Sequence, residues 1–352
     1  MTSNKKILIA PLNWGIGHAT RCIPLITALQ KYGFQPVIAS DGDALTLLKK
    51  EFPDLTFYEL PAYNISYSKK KSQKSKLLLQ SPAILKAALE EKKTVKKIHT
   101  IENLSGIISD NRFGIRHSEV PSVYITHQIN VLSGVTTLVS SKIHKQLIKK
   151  FDACWVPDID VPDNLSGMLS HTRTDGFNIR FIGALSRLES EKKNKKYDIL
   201  ILLSGPEPQR SLLENRLLKQ LVTIEKNILF VRGCFNCKTL NINSPFIELK
   251  NYLLAHDLQD AINQSEVIVA RSGYSTIMDL AKLHKQAFFI PTPGQYEQEY
   301  LAQRMKDLTI APFANQEDFR VEMLGEVENY KGFSQQYDLP LEDSLFQFFE
   351  GK

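Results

Sequence analysis

The chain has 352 residues, 43% of them hydrophobic, which suits two α/β domains better than one. Its four cysteines are too few for a disulfide framework, and the lone Cys234-x-x-Cys237 lacks the further ligands that a zinc site needs. The first apolar run, residues 7–12, is too short for a signal peptide, and no run approaches a membrane span, so the chain is expected in the cytoplasm.

Strand and helix signals alternate from the start. Strands are predicted at residues 6–10, 36–40, 55–60, 105–109, 122–126 and 153–157, with helices at 18–32, 43–51, 81–98 and 142–150. Short apolar runs separated by amphipathic helices indicate parallel sheets covered on both faces. The net charge of +6 is concentrated: residues 69–97 hold ten lysines against Glu90 and Glu91, a local +8. Aromatic stacking residues are missing there, so nucleic acid is not the expected partner. Lysines beside Leu77-Leu78-Leu79 and Ala83-Ile84-Leu85 suit an anionic membrane at its inner face; a solvated helix with a Lys/Ser loop is the competing reading.

A charged stretch, residues 187–196, reads as a linker, after which the alternation restarts. Strands are predicted at 197–203, 227–232, 246–249, 267–270 and 287–291, and a helix at 211–222. The expected domains are 1–186 and 187–335, with a helix over 336–352 returning to the first. Two doubly wound, Rossmann-like domains should face each other across a cleft, with ligands at the carboxyl ends of their strands.

Each domain opens on a glycine-bearing turn after its first strand. The first carries Gly15, Gly17 and His18, with Thr20 where a dinucleotide fingerprint has its third glycine; the second carries Ser204 and Gly205. Richest is Arg271-Ser272-Gly273-x-Ser275-Thr276-x-x-Asp279, a strand running into a Gly/Ser/Thr turn that opens a helix. Such a start offers free N–H groups to a phosphate, and Asp279 shares the helix face of Ser275 and Thr276, where it can bind two sugar hydroxyls. Gln295, Glu297 and Gln298 follow the next strand and suit a second polyol. Phosphate, ribose and a further sugar together describe a nucleotide-sugar.

These motifs resemble the GT-B glycosyltransferases, in particular family 28, the group of the peptidoglycan lipid-linked GlcNAc transferase, over roughly residues 5–310. Gly15-x-Gly17-His18 resembles that group's first glycine loop. His127-Gln128-x-Asn130 resembles its His-Glu-Gln-Asn, and Gly183 to Arg187 its Gly-Asn-Pro-x-Arg, whose arginine meets the donor phosphates. Arg271 to Asp279 and Glu297-Gln298 resemble its C-terminal signature. Asp279 stands where the group has glutamate, one methylene longer. Pro206-Glu207-Pro208 replaces small polar residues, and residues 109–114 have no clear counterpart, so a muramyl-pentapeptide acceptor does not follow.

The resemblance implies transfer of a sugar from a UDP-linked donor to an acceptor hydroxyl, a glycan or lipid-linked acceptor of the cell envelope, with inversion and without a metal or other cofactor. Asp158-x-Asp160 has the letters of a metal motif but lies in a proline-rich turn. His18 is the base that the resemblance points to; Asp110, just past a strand's carboxyl end, is the base that position points to. Gly15, Gly17, His127 and Asn130 are candidates for the acceptor or a phosphate. A nucleotide-sugar epimerase of the same architecture and a non-catalytic nucleotide-sugar binder remain open.

Overall fold

The computed structural model describes residues 5–14, 16–63, 74–172, 176–234, 238 and 240–350, with the backbone alone for 74–85 and 335. Gly15, Cys237 and the loop part of the lysine-rich stretch, up to residue 73, lie outside the described residues. The chain divides into one unit formed by residues 1–187 and 339–352 and another formed by 188–338.

The first unit is built on the strands β1 (Lys6–Pro11), β2 (Gln35–Ser40), β3 (Thr56–Glu59), β4 (Gly106–Asp110), β5 (Ser122–Ile125), β6 (Ala153–Val156) and β7 (Ile179–Phe181). They pair in the order β3-β2-β1-β4-β5-β6-β7, parallel throughout. Burial on both faces explains why the central strands are unbroken apolar runs rather than alternating ones. The helices α1 (Gly17–Lys31), α2 (Gly42–Glu51), α3 (Lys74–Glu102) and α4 (Thr137–Ile148) connect them. The expected helix over 336–352 is instead a set of short turns. A 3-10 turn (Gln335–Tyr337), α9 (Asp343–Phe346) and a second 3-10 turn (Gln347–Phe349) follow one another, and Pro340, which has no N–H to donate, falls between them. Phe346 and Phe349 from this segment meet Trp155 edge-on, with centroids 6.2 and 5.9 Å away.

The second unit has β8 (Tyr197–Leu202), β9 (Ile228–Val231), β10 (Ile247–Lys250), β11 (Ser265–Ala270) and β12 (Gln286–Phe289), in the order β10-β9-β8-β11-β12. Its helices are α5 (Gln209–Leu221), α6 (Ala255–Asn263), α7 (Tyr274–Lys282) and α8 (Tyr296–Asp307). Ile199, Ile201, Leu217, Phe230, Val269 and Phe288 form the core beneath α5. In each sheet the first strand lies in the interior, and the connections leave it in opposite directions. Ligand crevices form at the carboxyl ends beside such switch points, here between β1 and β4 and between β8 and β11.

One buried network fixes the loop after β4. Arg112, with no side-chain exposure, donates to Glu91 on α3 (2.9 Å), to Asp41, and through Nε to the carbonyl of Pro11 (2.9 Å). Glu91 also accepts from the Tyr63 hydroxyl (2.8 Å) and the Gly114 amide (2.9 Å). A Cβ at Gly114 would collide with the carbonyl of Ala88, so that position requires glycine. Glu91→Ala strips Arg112 of one of its two carboxylates and should destabilise the protein by on the order of 3 kcal/mol. Urea unfolding checks this; an unchanged midpoint would remove the network from the supports of the fold.

Candidate active site

At the carboxyl end of β1, Leu12 donates to the Asp110 carbonyl (2.9 Å), so the glycine turn is fastened to the end of β4. The turn feeds α1, whose first turn carries no acid and no side-chain cap. His18 and Arg21, three residues apart, share one face of that helix. His18 Nδ1 lies 3.0 Å from Asp110 Oδ1. Arg21 grips the same carboxylate with a two-pronged fork, Nε to Oδ2 at 2.6 Å and Nη2 to Oδ1. Its Nη1 reaches His127 Nδ1 at 3.3 Å, at the end of β5. The structure thus brings His18, Asp110 and His127 together, with Arg21 at the centre.

Asp110 and Arg21 are buried, at 0% and 3% exposure, while the His18 side chain keeps 14%. Burial works against the Asp110 charge, yet Arg21 and His18 beside it hold the carboxyl well below the usual carboxylate range. An acid so held, with its oxygens bonded to Arg21 and His18, is placed to orient His18 better than to take a proton. Burial also lowers the His18 pKa, with Asp110 opposing and Arg21 adding to the shift. The ring is neutral at pH 7. Arg21 Nη2, which can only donate, stands 2.8 Å from the same Nδ1, so the carboxylate and the guanidinium ask opposite things of that nitrogen. In the tautomer with Nδ1–H toward Asp110, Nε2 keeps its lone pair for a substrate proton.

Gly17 is the first residue of α1. Asn130 is used locally: its amide donates to Leu169 O and its side chain to Met168 O, both at 2.8 Å. Asp158 is buried and accepts from the backbone of Ile159, Leu165 and Ser166, which identifies it as a loop organiser. Sequence reasoning missed Arg21. Its only signal was a cation on the buried face of α1, among Ala19, Cys22, Ile23 and Leu25.

In the second unit, the loops after β8, β11 and β12 converge. Gly205 has φ +103°, and a Cβ there would first meet Thr292 Oγ1, 3.7 Å away. Ser204 beside it is exposed. Gly273 caps α7 in extended conformation, and α7 begins with no side-chain cap and no acid in its first turn. The position of a Gly273 Cβ is 3.9 Å from Gln298 Nε2, while Gln298 Oε1 accepts from the Thr292 amide (2.9 Å). Thr292 Oγ1 is buried without a partner among the described residues. The first amides of α7, the Thr292 hydroxyl and Gln298 Nε2 make a donor-rich cradle for an anion. Ser275, Thr276 and Asp279 lie half-buried on the first turns of α7, and Glu297 on the first turn of α8, which Gln295 caps.

Three expected phosphate or sugar contacts have other partners. Arg271, 1% exposed, donates to the carbonyls of Ile290, Pro291 and Gln209 (each 3.0 Å) and to Gln316 Oε1 (2.6 Å). It ties the ends of β11 and β12 to the start of α5, with Nε left without a partner among the described residues. Ser272 donates to the Gln298 carbonyl at 2.7 Å. Arg187 pairs with Glu51 at 2.9 Å, within the first unit.

The Asp110 shift has a measurable sign. A carboxylate whose folded pKa is depressed contributes stability above its unfolded value, about 3.9, and loses it as pH falls through the folded value. Asp110→Asn should therefore destabilise the protein by about 3–5 kcal/mol at neutral pH, by leaving Arg21 unpaired. It should also flatten the loss of stability below about pH 4. Denaturant unfolding from pH 2 to 7 checks both.

Residues 210–328 match the glycosyltransferase family 28 C-terminal domain. A Haemophilus ducreyi protein named UDP-N-acetylglucosamine--N-acetylmuramyl-(pentapeptide) pyrophosphoryl-undecaprenol N-acetylglucosamine transferase is 25% identical over 332 residues, covering 91% of this chain and 88% of its own. The crystal structure of MurG from Acinetobacter baumannii superposes with TM-score 0.56 at 16% identity, covering 92% and 89% of the two chains. The calicheamicin glycosyltransferase CalG4 superposes with TM-score 0.66 at 10% identity, covering 99% and 93%. The chain is a glycosyltransferase of the GT-B class, built from two Rossmann-like domains, the second of which matches the family 28 C-terminal domain over residues 210–328.

Proposed function

We propose that the chain transfers N-acetylglucosamine from UDP-N-acetylglucosamine to a hydroxyl of a polyprenyl-pyrophosphate-linked sugar, with inversion and without a bound metal. The observation that carries this reading is the neutral His18 held by Asp110 and Arg21 at the carboxyl ends of β1 and β4. The substrates in the relatives' names supply the donor and acceptor classes. The acceptor oxygen attacks the anomeric carbon as its proton passes to His18 Nε2. The bond to the diphosphate breaks with its electron pair on the leaving oxygen. The imidazolium formed is stabilised by Asp110. The charge growing on the diphosphate is met by the α7 amides, Thr292 and Gln298, fixed donors that need no reorganisation. Asp279 holds the ribose, and Glu297 with Gln295 holds the sugar.

Calorimetry and turnover separate the two halves. Asp279→Ala should weaken UDP-sugar binding by about 1–3 kcal/mol. His18→Ala should bind donor as the wild type does and lose about 10²–10⁴ in rate. The acid limb of kcat/KM should fall below about pH 6.5, because the His18 pKa lies under its ordinary value. Unchanged donor affinity in Asp279→Ala, or wild-type transfer by His18→Ala, would sink the respective assignment.

A lipid-borne acceptor also calls for a docking face. No helix among the described residues is long and apolar enough to cross a membrane. In the described part of α3, Ala87, Glu91, Val95 and Ile98 are buried, while Lys86, Lys92, Lys93, Lys96 and Lys97 are exposed. Most of the apolar side chains there belong to the core, with Leu89 and Ile101 exposed twelve residues apart, which favours the solvated-helix reading for that part. A denser exposed apolar group lies on α4 and the turn before it: Val135 (84%), Leu138 (86%), Val139 and Ile143, with Lys142, Lys149 and Lys150 exposed nearby. An apolar ridge with lysines suits an anionic bilayer. Leu138→Glu with Ile143→Glu should abolish salt-sensitive co-sedimentation with anionic vesicles; equal recovery of wild type and variant would remove α4 from the contact.

A further inference from the structure

The last turn of α3 and the loop from β4 to β5 bring three metal-ligating side chains together, away from the site described above. His99 lies three residues before the end of α3, and His117 and Glu119 lie just before β5 starts at Ser122. These are the amino ends of the strands, opposite to the end where Asp110 holds His18. One ligating atom from each of the three residues lies within 4.8 Å of the other two. The imidazoles are packed with centroids 4.5 Å apart, and His99 Nε2 is 3.6 Å from Glu119 Oε2.

The polar atoms of this cluster are poorly used by the protein. His99 Nδ1 is buried without a hydrogen-bond partner among the described residues. His117 Nδ1 accepts a weak bond, 3.3 Å, from the Glu119 backbone amide. Histidines kept for packing alone normally have their buried nitrogens satisfied. Two imidazoles and a carboxylate form a borderline-soft donor set that suits zinc better than magnesium or calcium, which take oxygen.

We propose that His99, His117 and Glu119 bind one divalent transition-metal ion of the zinc class, with water in the remaining position, and that the ion ties the end of α3 to the β4–β5 loop. Ligands around zinc at about 2.0–2.2 Å stand closer together than the atoms do here, so the set must contract. The Glu119 side chain, 75% exposed, is free to move in. At the amino ends of the strands the ion is a structural clasp and takes no part in sugar transfer.

The test uses the full chain without added histidines, titrated with Zn²⁺ by calorimetry and with Co²⁺ by visible absorption. Wild type should bind one ion, show the ligand-field bands of a low-coordinate Co²⁺ site, and melt at a higher temperature with Zn²⁺. His117→Gln and the exposed, fold-neutral Glu119→Gln should each weaken Zn²⁺ binding at least ten-fold and remove the zinc-dependent rise in Tm. Excess Mg²⁺ should not compete. Equal Zn²⁺ affinity and equal Co²⁺ spectra in wild type and both variants, or no binding by a wild type whose circular dichroism shows it folded, would overturn the proposal.

Discussion

The ion pair between Arg21 and Asp110 is the constraint on which the catalytic half depends. Two charges taken out of water cost several kcal/mol each, and only close, multiply bonded geometry offsets that cost. Arg21 supplies it with a fork on one carboxylate and a further contact to His127. The position of α1 relative to the ends of β1, β4 and β5 is thereby fixed by charge as well as by packing. The same carboxylate and guanidinium also hold the His18 ring through Nδ1. A shift in the pair would loosen the fold and misplace the imidazole together.

Arg271 solves a similar problem in the second domain by different means. Its partners are three backbone carbonyls and an amide oxygen, and no carboxylate pairs with it among the described residues. Burial lowers its pKa to about 10, which still leaves it cationic at neutral pH. The loops above it are therefore held around a buried positive charge. An anion seated on the amides of α7 would feel that charge without touching it, in a surrounding of low effective dielectric.

Much of the fold was legible because parallel strands buried on both faces read as short apolar runs between amphipathic helices. The carboxyl ends after β1, β4 and β11 were also legible, since glycines, a histidine and an aspartate there break the apolar pattern. The parts that escaped have physical reasons. β7, three residues with little burial, carries no periodic signal, and α6 is only nine residues long, too short for its periodicity to stand out. α4 starts five residues earlier than its pattern predicted because its first turns expose Leu138 and Val139, which does not look like an amphipathic helix facing a core. Arg21, Arg187 and Arg271 show the deeper limit. An arginine's letters do not tell whether its fork meets a ligand, a carboxylate or the backbone, because that depends on groups brought close only by folding.

The two glycine turns make the same point about chemistry. Both follow the first strand of a doubly wound sheet and both lead into a helix, so sequence alone gives them equal claims to a phosphate. The structure separates them by charge balance. Around α1 the cation Arg21 is matched by Asp110, so the helix start presents a neutral imidazole and little net positive field. Around Gly205 and Gly273 the Thr292 hydroxyl has no partner among the described residues, α7 starts without an acid in its first turn, and the hydrogen bonds of Arg271 go to neutral oxygens. A diphosphate gains more from the second environment than from the first, and a proton acceptor works only in the first, where no net charge opposes the imidazolium it becomes. The partner given to each buried arginine thereby suits the second turn to a leaving diphosphate and the first to a base, as the proposed transfer requires.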